Sequence, residues 1–573
     1  MRLWACRSLM IRYKLEIVKR NLLTLLCLLS FFINYGQTKV SWGDEFKIGK
    51  GSTDIGIIKA DATGIYLQES HVIRSWRPGY RISSTLVKLN SSMSEIYRKD
   101  YDHDLKGKEM ENFLFVEDKM YLFASDLDKK TKTQNLYAAE LDKGTGDLKS
   151  DWKQVYSWDV SEKGSDVQFR ISPNADTSRL ILTSTNTGKS ENRYEIVVLD
   201  AALRPMGKPF SITNEFEPKT FQVEDFVYTP TGNAILVGRT YDYEEGKKKK
   251  EKNLVFQNYN IRVYNSQGKM IKQLVTDIDG KFLVHGKMIL LKNQVVLAAF
   301  YSNERKKKEI NGLLVERIDP ATGEVINSTK KELNNSLISE VEDDDGKDQK
   351  KRDSDDAEGF SSDLVFRNFY STPDNGLVIL AEKFKSIIEA NTSTIPTGNG
   401  GYSTNNYVME RYESQDIYMS KISANGNIEW LDVLPKSQYE SIILGSSLYG
   451  GIGLNMFTSY FGGQMNRPFY SGFGCLPENN VLNIFFNDDE RNADIISSGK
   501  KIKRVSKFSK TDCFQVRLDL LTGKLTRKAL FSNNDIPPAM PRLGVVFDKA
   551  FYMTGKKDPG MGKPKLAIGK IST

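Results

Sequence analysis

The sequence predicts an all-β chain folded as a single β-propeller of eight four-stranded blades. Three observations carry that expectation. Beyond residue 36, short runs of β-branched and aromatic residues alternate with Gly, Asn, Asp and Pro turns, and amphipathic helical periodicity is scarce. Strongly apolar strands recur, several of them fifty to sixty-five residues apart. Each is followed by a second strand that runs into a tight turn and a more polar outer strand.

The recurring apolar strands are GIYLQES (Gly64–Ser70), KMYLFAS (Lys119–Ser125), RLILTST (Arg179–Thr185) and AILVGRT (Ala234–Thr240). They continue as VVLAAFYS (Val295–Ser302), LVILAEK (Leu377–Lys383), VLNIFFND (Val481–Asp488) and AFYMTGK (Ala550–Lys556). Regular repetition of such units suits a propeller better than a sandwich, because a ring protects the strand edges. Seven blades plus an irregular segment is the alternative. The two ends of the sequence support eight. The last repeat stops at GKIST (Gly569–Thr573) without an outer strand, and VSWGDEFKIG (Val40–Gly49) precedes the first complete repeat. Pairing the two would close the ring.

Between the second-to-last and last strand of a repeat lie ELDKGTGDLKSDW (Glu140–Trp152), RIDPATGEVIN (Arg317–Asn327), KISANGNIEW (Lys421–Trp430) and RLDLLTGKLTRK (Arg517–Lys528). Asp or Asn hydrogen-bonds its own turn there, and Gly permits positive φ. The Asp-x-x-Thr-Gly turn, with Trp152 and Trp430 on the following strand, resembles the repeats of the quinoprotein-like eight-bladed propellers. That superfamily includes quinone-dependent dehydrogenases and non-enzymatic outer-membrane assembly factors. LNSSMSEI (Leu89–Ile96) and LDAALRPM (Leu199–Met206) depart from the pattern, and the resemblance implies a fold without transferring a function.

Residues 1–36 have the layout of a secretory signal peptide: basic residues precede an uncharged, mostly apolar run, Asn21–Gly36. Met10 offers an alternative start. The expected mature domain is 37–573, located outside the cytoplasm: periplasmic, on the cell surface or secreted. Of 81 Lys/Arg and 73 Asp/Glu, residues 1–36 hold six and one, which leaves 75 and 72. A net charge of +3 removes the simplest support for nucleic-acid binding, so no nucleic-acid partner is expected. Cys475 and Cys513 remain; Cys475 is expected to end an inner strand and Cys513 to begin the third strand of the same blade, at opposite ends with the second strand between them, so no disulfide is expected.

The long insertions fall between second and third strands. They are Val72–Ile82, Tyr243–Asn253, Glu304–Glu309, Phe384–Gln415 and Arg491–Lys510. Two long blade-to-blade connections join them: the charged Glu340–Gly359, expected to be disordered, and the Gly- and aromatic-rich Leu444–Gly463. In a propeller all of these lie on one face, which is therefore the candidate binding face. Arg74, Trp76, Arg77 and Tyr80 combine the residue types of an interaction hot spot or a sugar-stacking platform on one such loop.

Recognisable catalytic equipment is absent. The three His residues (His71, His103, His285) sit in separate contexts, and there is no zinc pattern or nucleophile elbow. No catalytic residue, metal or cofactor is assigned. The leading expectation is a non-enzymatic secreted or envelope binding propeller for a protein or glycan partner, with peripheral membrane association allowed. A carbohydrate-active hydrolase or lyase with acidic residues in the central funnel is the alternative. A quinone dehydrogenase stands third.

Overall fold

Each repeat folds into a four-stranded antiparallel meander, and the computed structural model contains eight of them among its described residues. Those residues are 38–48, 52–74, 80–160, 166–174, 177–187, 192–207, 209–214, 221–245, 252–275, 281–291, 294–304, 309–333, 340–342, 360–361, 363–396, 402–446, 467–557 and 564–573. The expected signal segment, 1–36, lies outside them. In chain order the inner strands of blades 1 to 8 are Ser52–Asp61, Glu109–Val116, Asp166–Pro173, Phe221–Tyr228, Phe282–Leu291, Leu364–Ser371, Gly474–Glu478 and Ala539–Phe547.

The ring closes as its ends foretell. Lys39–Trp42 pairs antiparallel with Lys565–Ser572, setting Val40 opposite Ile571 and Trp42 opposite Gly569. Phe46–Lys47 continues along the same strand, and Glu45 meets Lys565 at 2.7 Å. Blade 8 thus takes its outer strand from the other end of the chain. Trp42 lies over Gly555 and Gly569, where a Cβ would approach its ring within about 3 Å, and makes an edge contact with Phe531 of blade 7 at 5.4 Å.

Eight apolar clusters join neighbouring blades around the whole circle. Tyr66, Phe115 and Leu122 fill the junction of blades 1 and 2, and Phe123, Trp158 and Leu182 that of blades 2 and 3. Tyr194 and Leu236 follow between blades 3 and 4, Val263 and Leu297 between 4 and 5, and Phe300 and Ile379 between 5 and 6. Leu380 with Ile484 and Phe485 with Phe551 fill the next two junctions. Ile57 and Ile568 join blade 8 back to blade 1. Stability is therefore distributed over neighbour contacts, with no single central core.

The punctuating turns have a second task. Asp519 Oδ1 accepts from the Leu521 and Thr522 amides at 3.0 and 2.8 Å, and Gly523 N–H donates to the Asp519 carbonyl at 2.9 Å. Gly523 has φ 75°, which favours Gly on its own. It also abuts the Trp430 ring of the preceding blade, 3.0 Å from where a Cβ would stand. In KISANGNIEW, Gly426 (φ 88°) is pressed against Asn327 of blade 5 in the same way. The motif docks a turn onto the blade before it.

The insertions leave the blades at one rim, and the two that fall largely among the described residues are regular structure. Phe384–Gln415 is the body of a hairpin, Leu377–Pro396 with Tyr402–Ile422, twenty and twenty-one residues long. Arg491–Lys510 contains two single-turn 3-10 helices and the strand Lys501–Lys503. Glu340–Gly359 begins as a strand too: Glu340–Glu342 pairs in parallel with Lys501–Lys503, while 343–359 lies outside the described residues. Leu444–Ser446 ends the strand Gln438–Ser446, and 447–463 lies outside.

Cys475 stands at the start of its inner strand, opposite Ile484, and not at the end. The strand has five residues and begins later than its apolar flank suggests. Cys513 faces Asn487. Both thiols are free, with the strand Val481–Asp488 between them.

Replacing Trp42 with Ala should remove the packing of the closing strand and cost about 2–4 kcal/mol, scaled down from full aromatic burial. Scanning calorimetry should show a lowered unfolding midpoint. An unchanged midpoint would mean that closure contributes nothing to stability.

Candidate functional site

The most elaborate element on the insertion-bearing face is the long hairpin of blade 6. Past Glu382 its two strands leave the blade and run on, paired from Phe384–Ser414 out to Pro396–Tyr402. A third strand, Gln438–Ser446, pairs along it and makes a three-stranded arm. Alternate residues face opposite sides. Ser414, Tyr412 and Glu440 are buried and so mark the inward side. Ile442, on that same side, packs against the cluster joining blades 8 and 1. The arm therefore starts in blade 6, passes blade 7 and rests over the ring beyond it.

Its outward side sets Ile387, Glu389, Met409, Arg411, Ser441 and Ile443 in cross-strand rows, with Arg411 paired to Glu389. Ile443 is 66% exposed. An ordered sheet presenting aliphatic side chains beside an ion pair has the make-up of a recognition surface.

Beneath the arm lies a buried polar network. Lys436 Nζ reaches Glu382 Oε1 at 2.7 Å, Ser414 Oγ at 2.5 Å and Gln438 Oε1 at 3.1 Å. Arg367 Nε donates to Glu382 Oε2 at 2.7 Å. Burial alone would raise the Glu382 carboxyl, but Lys436 and Arg367 overcome it and hold the group at about 2. Ser414 and Lys436 resemble a nucleophile and base by type. Glu382 engages both, and both are fully buried, so the pair serves as a structural anchor. Glu440 accepts from the Phe469, Tyr470 and Ser471 amides at 2.7, 2.9 and 2.9 Å, which ties the arm to the segment entering blade 7.

Register places a charged residue on the inner strand of three blades. In blades 2, 4 and 6 the inner strand carries one extra residue at the same level: Glu111, Glu224 and Arg367. One position beyond the pairs that bracket each bulge, the second strand carries Ser125, Arg239 and Glu382. Blades 4 and 6 thus hold ion pairs of opposite sense, Glu224 with Arg239 at 2.6 Å and Arg367 with Glu382 at 2.7 Å. Burial opposes ionisation of Glu224, yet hydrogen bonds from His285 and Arg239 hold it at about 2. Blade 2 lacks the cation. Among the described residues Glu111 receives the Ser125 hydroxyl alone, at 2.5 Å, and burial pushes its carboxyl up to about 7. Blade 5 has an apolar residue, Val284, at its bulge.

Of the residues singled out from sequence, Arg74 and Tyr80 form the last cross-strand pair of the blade 1 hairpin. Trp76 and Arg77 fall in 75–79, outside the described residues. The axial charges were not singled out, although Glu224/Arg239 and Arg367/Glu382 share a separation of fifteen residues with the signs exchanged. His285 joins the Glu224 site, 3.2 Å from Arg239. Among the described residues no group of three or more His, Cys, Asp or Glu side chains is arranged to hold a metal. A shallow hollow of about 500 Å³ on the opposite face, between blades 2 and 3, is lined by Glu117, Arg179, Asp200 and Arg204.

No family model matches the chain, and no curated protein does. Among solved structures it is similar to an ACO/RPE65 chimera, at 11% identity and TM-score 0.33 over 87% of this chain and 94% of that one. It is also similar to the β-propeller domain of the Trilobed protease from Pyrococcus furiosus, at 9% identity and TM-score 0.31 over 84% and 98%. A third likeness is to an α-L-arabinanase from Penicillium chrysogenum, at 10% identity and TM-score 0.28 over 58% and 90%. Likeness this distant says nothing about activity.

The raised Glu111 carboxyl has a signed consequence. Its stabilisation is complete below its ordinary value of 4.5 and is lost as pH rises towards about 7. Glu224 and Glu382 act in the opposite sense, losing their contribution as pH falls from 4.5 towards about 2. Glu111→Gln is expected to stabilise the protein at pH 8 by roughly 1–2 kcal/mol, a discounted figure for a residue that is not fully buried. It should also flatten the loss of thermal midpoint between pH 4.5 and 7. Parallel pH profiles for variant and wild type would refute the assignment.

Proposed function

We propose that this is a secreted or cell-envelope binding propeller that recognises a partner protein through the outward side of the blade 6 arm. The observation that carries this reading is the arm itself. An ordered three-stranded sheet is anchored by a fully buried ion network and presents Ile443 to solvent, with Ile387 and Met409 half-buried in the same rows. Burying the network fixes the arm's position, and rigid placement lowers the ordering cost of binding. Arg74, Trp76, Arg77 and Tyr80, expected from the sequence on the insertion-bearing face, would extend the contact. A glycan is the other partner class that such a Trp- and Tyr-bearing loop suits. Within the quinoprotein-like resemblance, this reading sits with the assembly factors rather than the dehydrogenases.

The hydrolase reading draws on Glu111, which at neutral pH has the proton a general acid needs. A glycosidase also needs a second, ionised carboxylate facing the first across the substrate. Glu224, the corresponding carboxylate of blade 4, is taken up by Arg239 and the Gly286 amide. Binding is accordingly preferred.

Capture from envelope extracts compares wild type with Met409→Asp/Ile443→Asp and with Trp76→Ala/Arg77→Ala. The arm variant should lose its partners and the loop variant should weaken them. Identical partner sets in all three would reject this face. N-terminal sequencing of extracytoplasmic protein should begin near residue 37, and a chain retaining its first residues would count against secretion by cleavage.

A further inference from the structure

The arm ends sideways on an unpaired strand edge. Leu364–Ser371 lies along the other side of Leu377–Pro396 only as far as Lys383, and the Phe384 N–H makes the last bond on that side, to the Asp363 carbonyl at 2.8 Å. Before Asp363 the chain turns away, pairing Phe360–Ser361 with Glu309–Ile310. From Lys385 onward the strand pairs with Tyr402–Ile422 alone among the described residues, and no bulge interrupts that stretch.

Backbone donors and acceptors alternate in direction along a strand. Phe384 directs its amide to the uncovered side, so Ser386, Ile388 and Ala390 direct theirs there too, while Lys385, Ile387 and Glu389 bond into the arm. The side chains of Ser386, Ile388 and Ala390 lie on the inward side of the sheet, where Tyr412 and Glu440 on the other two strands are buried. These three are nonetheless exposed, Ile388 at 40%. The ring therefore stops short of the edge strand and leaves room for another strand beside it. Proteins that must not pair through such an edge blunt it with bulges, proline or charge. Here the pairing is regular, proline first appears at Pro396, and Glu389 is engaged by Arg411. Lys385 is exposed and has no ion-pair partner among the described residues.

We propose that the arm takes up an extended segment of the partner protein as a fourth, antiparallel strand along Lys385–Ala390. The backbone groups of Ser386, Ile388 and Ala390 supply the pairing, and side chains on the two sides supply the selection. The segment places an aliphatic residue opposite Ile387 and an acidic one opposite Lys385, which puts the acidic residue at its C-terminal end. This inference rests on the arm being the partner-binding element, and it names the kind of segment the arm accepts.

The test uses the full protein and a synthetic blocked hexapeptide, acetyl-Thr-Lys-Val-Val-Thr-Glu-amide, whose first, third and fifth residues would meet Ala390, Ile388 and Ser386. Binding is read by fluorescence anisotropy of a labelled copy and by hydrogen-exchange mass spectrometry. The peptide should bind and slow exchange in the fragment that holds Ser386 and Ile388. N-methylation of its third and fifth amides should weaken binding about tenfold, through loss of two modest hydrogen bonds. N-methylation of the second and fourth amides, which face away, should leave binding within about threefold. Ile388→Pro removes an amide that the arm itself does not use, so it should keep the thermal midpoint and lose the peptide. Lys385→Glu, which makes no demand on the backbone, should prefer a peptide ending in Lys to the one ending in Glu. Absence of binding or of protection in wild type, equal weakening by the two methylation patterns, or an unchanged preference in Lys385→Glu would overturn the proposal. Such a failure would leave the outward side of the arm to be judged by the capture comparison of Met409→Asp/Ile443→Asp.

Discussion

Pairing of the first described strand with the last is the constraint on which the rest of the architecture depends. Each blade is a curved meander with an apolar side towards each neighbour, so a linear array would leave two such sides exposed. Joining Lys39–Trp42 to Lys565–Ser572 lets blade 8 be completed and then covered by blade 1. The aromatic ring of Trp42 rests on glycines because nothing larger fits between that strand and the sheet it completes.

Once the ring is closed, its inner strands converge and their side chains face a confined axis. Bulges relieve this by inserting a residue that redirects the local backbone. In blades 2, 4 and 6 the inserted residue is charged, and a nearby second-strand side chain decides whether that charge is neutralised. Arg239 makes Glu224 a stable carboxylate, and Glu382 does the reciprocal for Arg367. Ser125 can donate only a neutral hydrogen bond, so the Glu111 carboxyl retains its proton to near neutrality. One backbone device thus yields paired or poised charges according to a single facing residue.

The ring was legible in the sequence because its signals are local. Runs such as VVLAAFYS are buried on both sides and read as unbroken apolar strands, and Asp319–Gly323 or Asp519–Gly523 states its turn within five residues. The arm was not legible. Lys385–Glu389 and Val408–Glu413 mix Ile, Glu, Arg, Tyr and Met, since one side meets the ring and the other meets solvent, while the tip around residue 400 is rich in Gly, Thr and Asn. Such a stretch reads as loop until its partner strand is known. The axial charges failed for another reason. A bulge is a property of register between two strands, and neither strand alone shows which residue is the extra one.

The ring is not symmetric in what it carries. The eight blades share one plan, yet among the described residues the added strands, Glu309–Ile310, Glu340–Glu342, Gln438–Ser446 and Lys501–Lys503, belong to the part of the chain that builds blades 5 to 7 and form an added layer of strand pairs there. Two strands of that layer are bridged: Gln438 pairs with Val505, beside Lys501–Lys503, and Tyr439 donates to the Val505 carbonyl at 2.8 Å. Buried pairs hold it down, Lys436 with Glu382 and Arg527 with Asp488. Buried ion pairs are poor sources of net stability, because desolvation consumes most of the attraction, but removing either partner strands a charge and is costly. They therefore discriminate against other placements of the layer more than they strengthen this one. A fold that needed only stability would have met these positions with apolar side chains, as the blade junctions do. Charges at the base of the arm are what would be expected where the position of a surface matters more than its contribution to folding.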